Sequence, residues 1–95
     1  MIFANKIKQL REEKQLLQRH LAFALDIDTP MYSKIERGDR RAKREQVFLI
    51  AKLFDTDEDK LLAFWLADQV EEVLVNDKDK TTDVFNIVNN SFNKK

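Results

Sequence analysis

Ninety-five residues with 43% hydrophobic and 36% charged side chains, one Gly and one Pro predict a single helical domain with few loops. The absence of Cys excludes disulfides and thiolate metal sites, and no apolar run approaches the roughly 18 residues that a membrane span needs. The formal net charge is zero, which by itself argues against a nucleic-acid partner.

The first predicted helix covers about residues 3–14. Phe3, Ile7 and Leu10 recur at helical spacing and give this helix one apolar stripe. Its last turn, residues 11–14, holds two acidic and two basic side chains, and we expect it to be a solvated end.

The second predicted helix covers residues 18–25. Leu21, Ala22 and Leu25 share its apolar stripe, and the small side chain of Ala22 lets a neighbouring helix approach closely. Phe23 lies off that stripe, so we expect it to be exposed.

The third predicted helix covers about residues 29–37 and follows a tight corner. Asp26 is expected to take the left-handed conformation that ends the preceding helix, and Asp28 is placed to cap the new one. Tyr32 and Ile35 are spaced to point inward, which turns the opposite face outward. Two helices packed across such a corner form a helix-turn-helix, whose outward helix can enter the major groove of DNA.

The fourth and fifth predicted helices cover about residues 44–54 and 58–75. Asp57 is the expected N-cap of the fifth helix, which carries more apolar surface than a small five-helix core needs. Beyond a polar linker at 76–80, an apolar period resumes over 81–92. The Asn and β-branched content of this last segment makes a poor autonomous helix, so it should form only by packing on something.

The second and third helices also carry a family pattern. Its residues are Leu17-Gln18, Leu21-Ala22 and Ser33-Lys34-Ile35-Glu36-Arg37-Gly38. This pattern resembles the phage-repressor/Cro-like helix-turn-helix family, also called the xenobiotic-response-element (XRE) type. Three positions depart from it: Leu17 replaces the usual Thr, Asp26 the corner Gly, and Pro30 a common polar DNA-contacting residue.

The resemblance covers about residues 7–66. It implies a five-helix domain, usually dimeric, that binds operator DNA as a transcription regulator. We therefore expect an all-α fold in which residues 1–66 form a repressor-like helix-turn-helix domain. Residues 67–95 are expected to form a helical extension that pairs two copies.

The outward face of the third helix is predicted to read bases. Lys34 can donate to guanine O6 or N7, and Pro30 can touch a thymine methyl. Thr29 and Ser33 can donate or accept a hydrogen bond, so each discriminates weakly alone. The competing interpretation is that these four are ordinary surface residues.

Cations that flank the third helix are predicted to contact phosphates. Residues 1–44 hold eleven Lys and Arg against six Asp and Glu, and residues 45–95 hold the reverse excess, so the basic half coincides with the helix-turn-helix. The alternative is a solvated charged face. Glu36 is expected to be structural and paired with a nearby Arg. The predicted phosphate contacts are Gln18, Arg19, Arg37, Arg40, Arg41, Lys43 and Arg44.

A homodimer is predicted, since two copies double the DNA site. The surplus apolar surface lies in the fifth helix and in residues 81–92, although the latter could instead fold back on its own domain. The residues assigned to the dimer interface are Trp65, Val70, Val73, Leu74, Val84, Val88 and Phe92.

Other chemistry finds little support. His20 is the single histidine and has no paired ligand, and the acidic residues 55–59 lack the glycine turn and distal Glu of a calcium loop. No phosphate-binding glycine loop or catalytic triad is present, so we expect neither an enzyme nor a cofactor or metal site. Residues 1–3 lack the regions of a signal peptide, so a cytoplasmic protein without membrane contact is expected.

The predicted function is a sequence-specific transcription regulator that binds double-stranded DNA as a homodimer on an inverted repeat. An autoregulator and a controller of restriction–modification genes are both open forms of it. The alternative is an antitoxin-like interaction protein whose acidic C-terminal half binds a partner protein.

Overall fold

The computed structural model describes residues 1–94. Its six α-helices are α1 (Ile2–Glu13), α2 (Gln18–Leu25), α3 (Thr29–Glu36), α4 (Arg44–Phe54), α5 (Glu58–Leu74) and α6 (Thr81–Asn93), with a 3₁₀ turn at Lys78–Lys80. No strand occurs within the described range, so the all-α prediction is confirmed, and every predicted helix lies within one residue of its observed bounds. None of these helices is long and apolar enough to cross a membrane. Lys95, the end of the predicted extension, lies outside the described residues.

The hydrophobic core is built by the first five helices. The predicted apolar residues of α1, α2 and α3 face inward, because apolar residues three or four apart share one face of a helix, and α4 and α5 add further side chains to the same core. The buried apolar residues of this core are Phe3, Ile7, Leu21, Ala22, Leu25, Tyr32, Ile35, Ala42, Val47, Ile50, Ala51, Phe54 and Leu61.

The corner between α2 and α3 has the predicted chemistry. Asp26 takes the left-handed conformation, with φ 56° and ψ 45°, and ends α2. The Asp28 carboxylate accepts from the backbone N–H of Met31 at 2.8 Å and caps α3. Phe23 is 88% exposed, as predicted. The corner therefore fixes the direction of α3 through local hydrogen bonds as well as through packing.

A buried ion pair ties α1 to α3. The Arg11 guanidinium donates to both carboxylate oxygens of Glu36, at 2.9 and 2.8 Å, and also to the backbone oxygen of Leu16 at 2.9 Å. Glu36 is therefore structural and paired with an Arg, as predicted. The prediction that residues 11–14 form a solvated end is wrong for Arg11, whose side chain is 14% exposed.

The loop that follows α3 is anchored to α5 by Trp65. The indole Nε1–H of Trp65 donates to the backbone oxygen of Ala42 at 2.8 Å. The guanidinium of Arg44 lies 5.6 Å from the centre of the Trp65 ring, within the range of a cation–π contact. α5 thus holds the basic segment in place beside α3.

The last helix, α6, stands apart from this core. None of its described residues is buried, and the 3₁₀ turn is the element that it contacts most. Thr81 and Phe85 line one groove with Val70 and Leu74 of α5, so the start of α6 lies beside its own domain, and the pairing of two copies by residues 81–92 stays a prediction. Farther along the apolar face, Val88 and Phe92 are 41% and 79% exposed in the single chain.

Candidate DNA-binding surface

The outward face of α3 presents the residues predicted to read bases. Tyr32 and Ile35 are 0% and 2% exposed and lock the opposite face into the core. Thr29, Pro30 and Lys34 are exposed, and Ser33 is half-buried. The structure thus brings all four predicted residues to one outward surface within the first two turns of the helix, where a recognition helix meets base edges.

Ser33 is held by a neighbour at the end of α3. The Arg37 guanidinium donates to the Ser33 hydroxyl oxygen at 3.1 Å and to the Asp39 carboxylate at 3.1 Å. The Ser33 hydroxyl accepts in this contact, so its own hydrogen remains available for an acceptor on a base. Arg37 and Asp39 are both more than half exposed, which makes their ion pair weak and easily exchanged for a phosphate.

Gln18, at the start of α2, is positioned by the buried ion pair. Its side-chain amide donates to a Glu36 carboxylate oxygen at 3.3 Å, which leaves the second amide hydrogen for a phosphate oxygen. The preceding backbone N–H, that of Leu17, donates to the His20 imidazole Nδ1 at 2.9 Å. His20 therefore supplies the reciprocal half of a capping box by accepting from the N-cap N–H, while the side chain of Leu17 offers no acceptor to the first-turn amides of α2. Arg19, beside Gln18, is exposed.

The electrostatics of the pair favour the ionised form of Glu36. Burial disfavours a carboxylate, yet the hydrogen bonds and charge of Arg11 outweigh it and lower the pKa of Glu36 below its ordinary value of 4.5. Burial beside Glu36 raises the pKa of the Tyr32 phenol. The Tyr32 hydroxyl has no partner in good hydrogen-bond geometry within residues 1–94. Glu36 and Arg11 are therefore both charged at neutral pH.

The basic segment of residues 40–44 divides into held and free cations. Arg41 forms an ion pair with Glu72 of α5, and Arg44 lies against the Trp65 ring. Arg40 and Lys43 are exposed and have no ion-pair partner in the part of the chain that the structure describes. These two side chains are the ones most ready to contact a phosphate, since no local contact has to be broken first.

Sequence reasoning did not identify four residues whose contacts hold the helices of this region in place, namely Arg11, Glu72, Asp68 and His20. Arg11 and Glu72 lie 25 and 31 positions from their partners, so no local pattern reveals their pairing. Asp68 accepts from the backbone N–H of Ile2 at 2.7 Å and fixes the start of α1 on α5. The cap by His20 had a local signal, because a side chain three residues after an N-cap can reach back to it.

The residues predicted for the dimer interface fall into two groups. Leu74 is 8% exposed and Trp65 is partly buried and hydrogen-bonded to Ala42, so both contribute to packing inside the single chain. Val84 is half-buried on α6. The exposed members are Val70, Val73, Val88 and Phe92.

A comparison with models of protein families matches residues 7–61 to a family described as helix-turn-helix. The match begins in α1, covers α2, α3 and α4, and ends in the first turn of α5. Comparisons with curated proteins and with solved structures give no match.

Proposed function

Because the chain belongs to the XRE-type helix-turn-helix family and is a DNA-binding transcription regulator, we propose that it acts as a homodimer on an inverted-repeat operator. The observation that carries this proposal is the outward face of α3. Thr29, Pro30, Ser33 and Lys34 share that face, and the opposite face of the helix is buried in the core. In a two-fold dimer the two copies of α3 would enter successive major grooves, about 34 Å apart or a multiple of it.

Within this proposal the phosphate contacts come from both sides of α3. Gln18 and Arg19 lie at the start of α2, and Arg37 ends α3. The segment from Arg40 to Arg44 follows, held against α5 by Trp65. Such contacts fix the register of the protein on DNA and supply most of its affinity, while α3 supplies the sequence preference.

Lys34→Ala should relax sequence preference at one position of each half-site. A Lys that donates to guanine O6 or N7 contributes discrimination of about 1–3 kcal/mol against the wrong base. The measurement is a selection of bound sequences from random DNA with the wild type and the variant. The matched control is Lys52→Ala, an exposed lysine on α4, which should leave the preference unchanged. An unaltered preference in Lys34→Ala would remove Lys34 from the base-reading set.

We propose that residues 67–95 pair the two copies. α5 and α6 expose large apolar side chains that a single chain does not cover, among them Val70, Val88 and Phe92. A contiguous exposed apolar surface of this kind marks an interaction site.

Removal of the chain from residue 76 onward should therefore shift the protein toward monomer. The truncation leaves the core of α1 to α5 intact, because none of the described residues of α6 is buried. Sedimentation velocity over a range of concentrations measures the change, and circular dichroism checks that the remaining helices persist. A truncated protein that is still a stable dimer would place the interface on α5 alone.

An antitoxin-like function is the second candidate, and the uncovered apolar face of α6 is the observation that favours it. A partner protein would cover that face, and DNA binding would be secondary. The purified chain would then be monomeric at micromolar concentration, whereas the homodimer proposal expects self-association. The two expectations are separated by the same sedimentation measurement on the intact protein. A dimer that binds its own promoter DNA would in addition support an autoregulatory form.

A further inference from the structure

An apolar groove of about 570 Å³ lies between α5, the start of α1 and the start of α6. Its lining side chains are mostly apolar, among them Ile2, Leu66, Val70, Leu74 and Phe85. The α5 members recur at i, i+4 and i+8, which is one face of a helix.

The apolar stripe of α6 continues from the edge of this groove. Val84, Phe85, Val88 and Phe92 recur at helical spacing and share one face of α6. Phe85 belongs both to the stripe and to the groove lining, so the two surfaces are continuous. Asp83 is the one charged residue between Thr81 and Asn93, which is unusual for a helix that leaves every described residue unburied.

We propose that the groove of one copy receives the α6 stripe of a second copy, and that the exchange is reciprocal. This inference rests on the proposed homodimer and gives it a specific geometry. Every molecule carries both the groove and the stripe, so a two-fold axis satisfies both at once, as a self-complementary interface requires. The recognition mode is that of an apolar helix face lying in a groove.

The size of the surfaces supports a second copy as the occupant. α6 has 13 residues and is about 20 Å long at 1.5 Å per residue. Phe85 and Phe92 are 47% and 79% exposed, and a Phe that buries roughly 200 Å² contributes a large area when covered. A stable interface needs about 800 Å² per partner, and in a reciprocal exchange each partner buries both its groove and its stripe.

The groove predicts which exposed Val and Ile side chains contribute to dimerisation and which do not. Val70 lines the groove, whereas Val73 lies on α5 outside it and is 78% exposed, so the groove geometry excludes Val73 from the interface that the sequence predicted. Val88 lies in the stripe. Ile87 is 68% exposed and is rotated by about 100° from Val88 about the helix axis. Each helix thus offers one position inside the contact and one matched position outside it.

The test compares four single variants of the full chain. Val70→Asp and Val88→Asp should each raise the dimer dissociation constant at least about 100-fold, since each places a charge in an apolar contact. Val73→Asp and Ile87→Asp carry the same charge on the same helices and should change it less than about threefold. Sedimentation velocity over a concentration series gives the constants, and circular dichroism confirms that all four variants are equally helical.

Each pattern of results has a defined meaning. Loss of the dimer in the first pair alone supports the groove. A dimer that survives Val70→Asp and Val88→Asp overturns the groove but leaves the homodimer standing, and loss with Val73→Asp or Ile87→Asp places the contact on another face. A wild type that stays monomeric up to millimolar concentration overturns the groove together with the proposed homodimer.

Discussion

Arg11→Met should lower the free energy of unfolding by about 3–5 kcal/mol. The variant removes the cation that donates at 2.9 and 2.8 Å to Glu36, whose side chain is 3% exposed. The Gln18 amide, at 3.3 Å, is the side-chain donor that would remain to the buried carboxylate, so the folded state would carry most of the cost of an unpaired buried charge. Urea unfolding followed by circular dichroism measures the change.

The chain supplies a matched control for that result. Arg37→Met also breaks an ion pair, the one with Asp39. Because Arg37 and Asp39 are 58% and 61% exposed, this substitution should lower the free energy of unfolding by about 1 kcal/mol or less. The double variant Arg11→Met/Glu36→Leu should recover much of the loss, because it leaves no unpaired buried charge. Equal effects of Arg11→Met and Arg37→Met would show that the buried pair is not a special determinant of stability.

The same pair gives the stability a defined pH dependence. The pKa of Glu36 is lower in the folded chain than its ordinary value of 4.5, so ionised Glu36 stabilises the fold above about that pH. This contribution is lost as the pH falls below 4.5 through the lowered pKa. The wild type should therefore lose more stability on acidification than the double variant Arg11→Met/Glu36→Leu.

The triple variant Arg40→Ala, Arg41→Ala, Lys43→Ala should bind operator DNA much more weakly and with a smaller dependence on salt. Each phosphate contact contributes about 0.9 to the slope of log affinity against log salt, so six lost contacts in a dimer should flatten it by about 5. Arg40 and Lys43 should account for most of the loss, because Arg41 must first leave Glu72. Fluorescence anisotropy at several salt concentrations measures the slope.

A second triple variant controls for the loss of charge itself. Lys8, Lys52 and Lys60 are exposed cations outside the basic segment of residues 40–44, and their replacement by Ala removes the same formal charge. If both triple variants flatten the slope equally, the basic segment has no special place on DNA. A slope that remains unchanged in the first triple variant would contradict the phosphate assignment directly.

The sequence predicted the elements of the surface well because their signals are local. Apolar spacing identified Tyr32 and Ile35 as buried, and the outward positions of α3 follow from those two. The cap by Asp28 and the left-handed conformation of Asp26 follow from the chemistry of single side chains at helix ends. Patterns of this kind need no knowledge of the rest of the fold.

What the sequence could not predict depends on contacts between distant positions. In the sequence, Arg11 is indistinguishable from the other charged residues at the end of its helix. Its partner Glu36 is placed beside it only by the packing of α1 on α3. Likewise, the sequence gives no sign that Arg41 pairs with Glu72, because that ion pair depends on where α5 packs. The direction of α6 was likewise open, because its apolar period fits equally well against its own domain or a second copy.

The central claim is that two copies of α3 read an inverted repeat, and selection of bound sequences from random DNA tests it most directly. The account predicts a two-fold symmetric sequence with half-sites about 34 Å apart or a multiple of it, in which Lys34→Ala loses preference at one position per half-site. Enriched sequences without symmetry, or no enrichment over the starting pool, would contradict it.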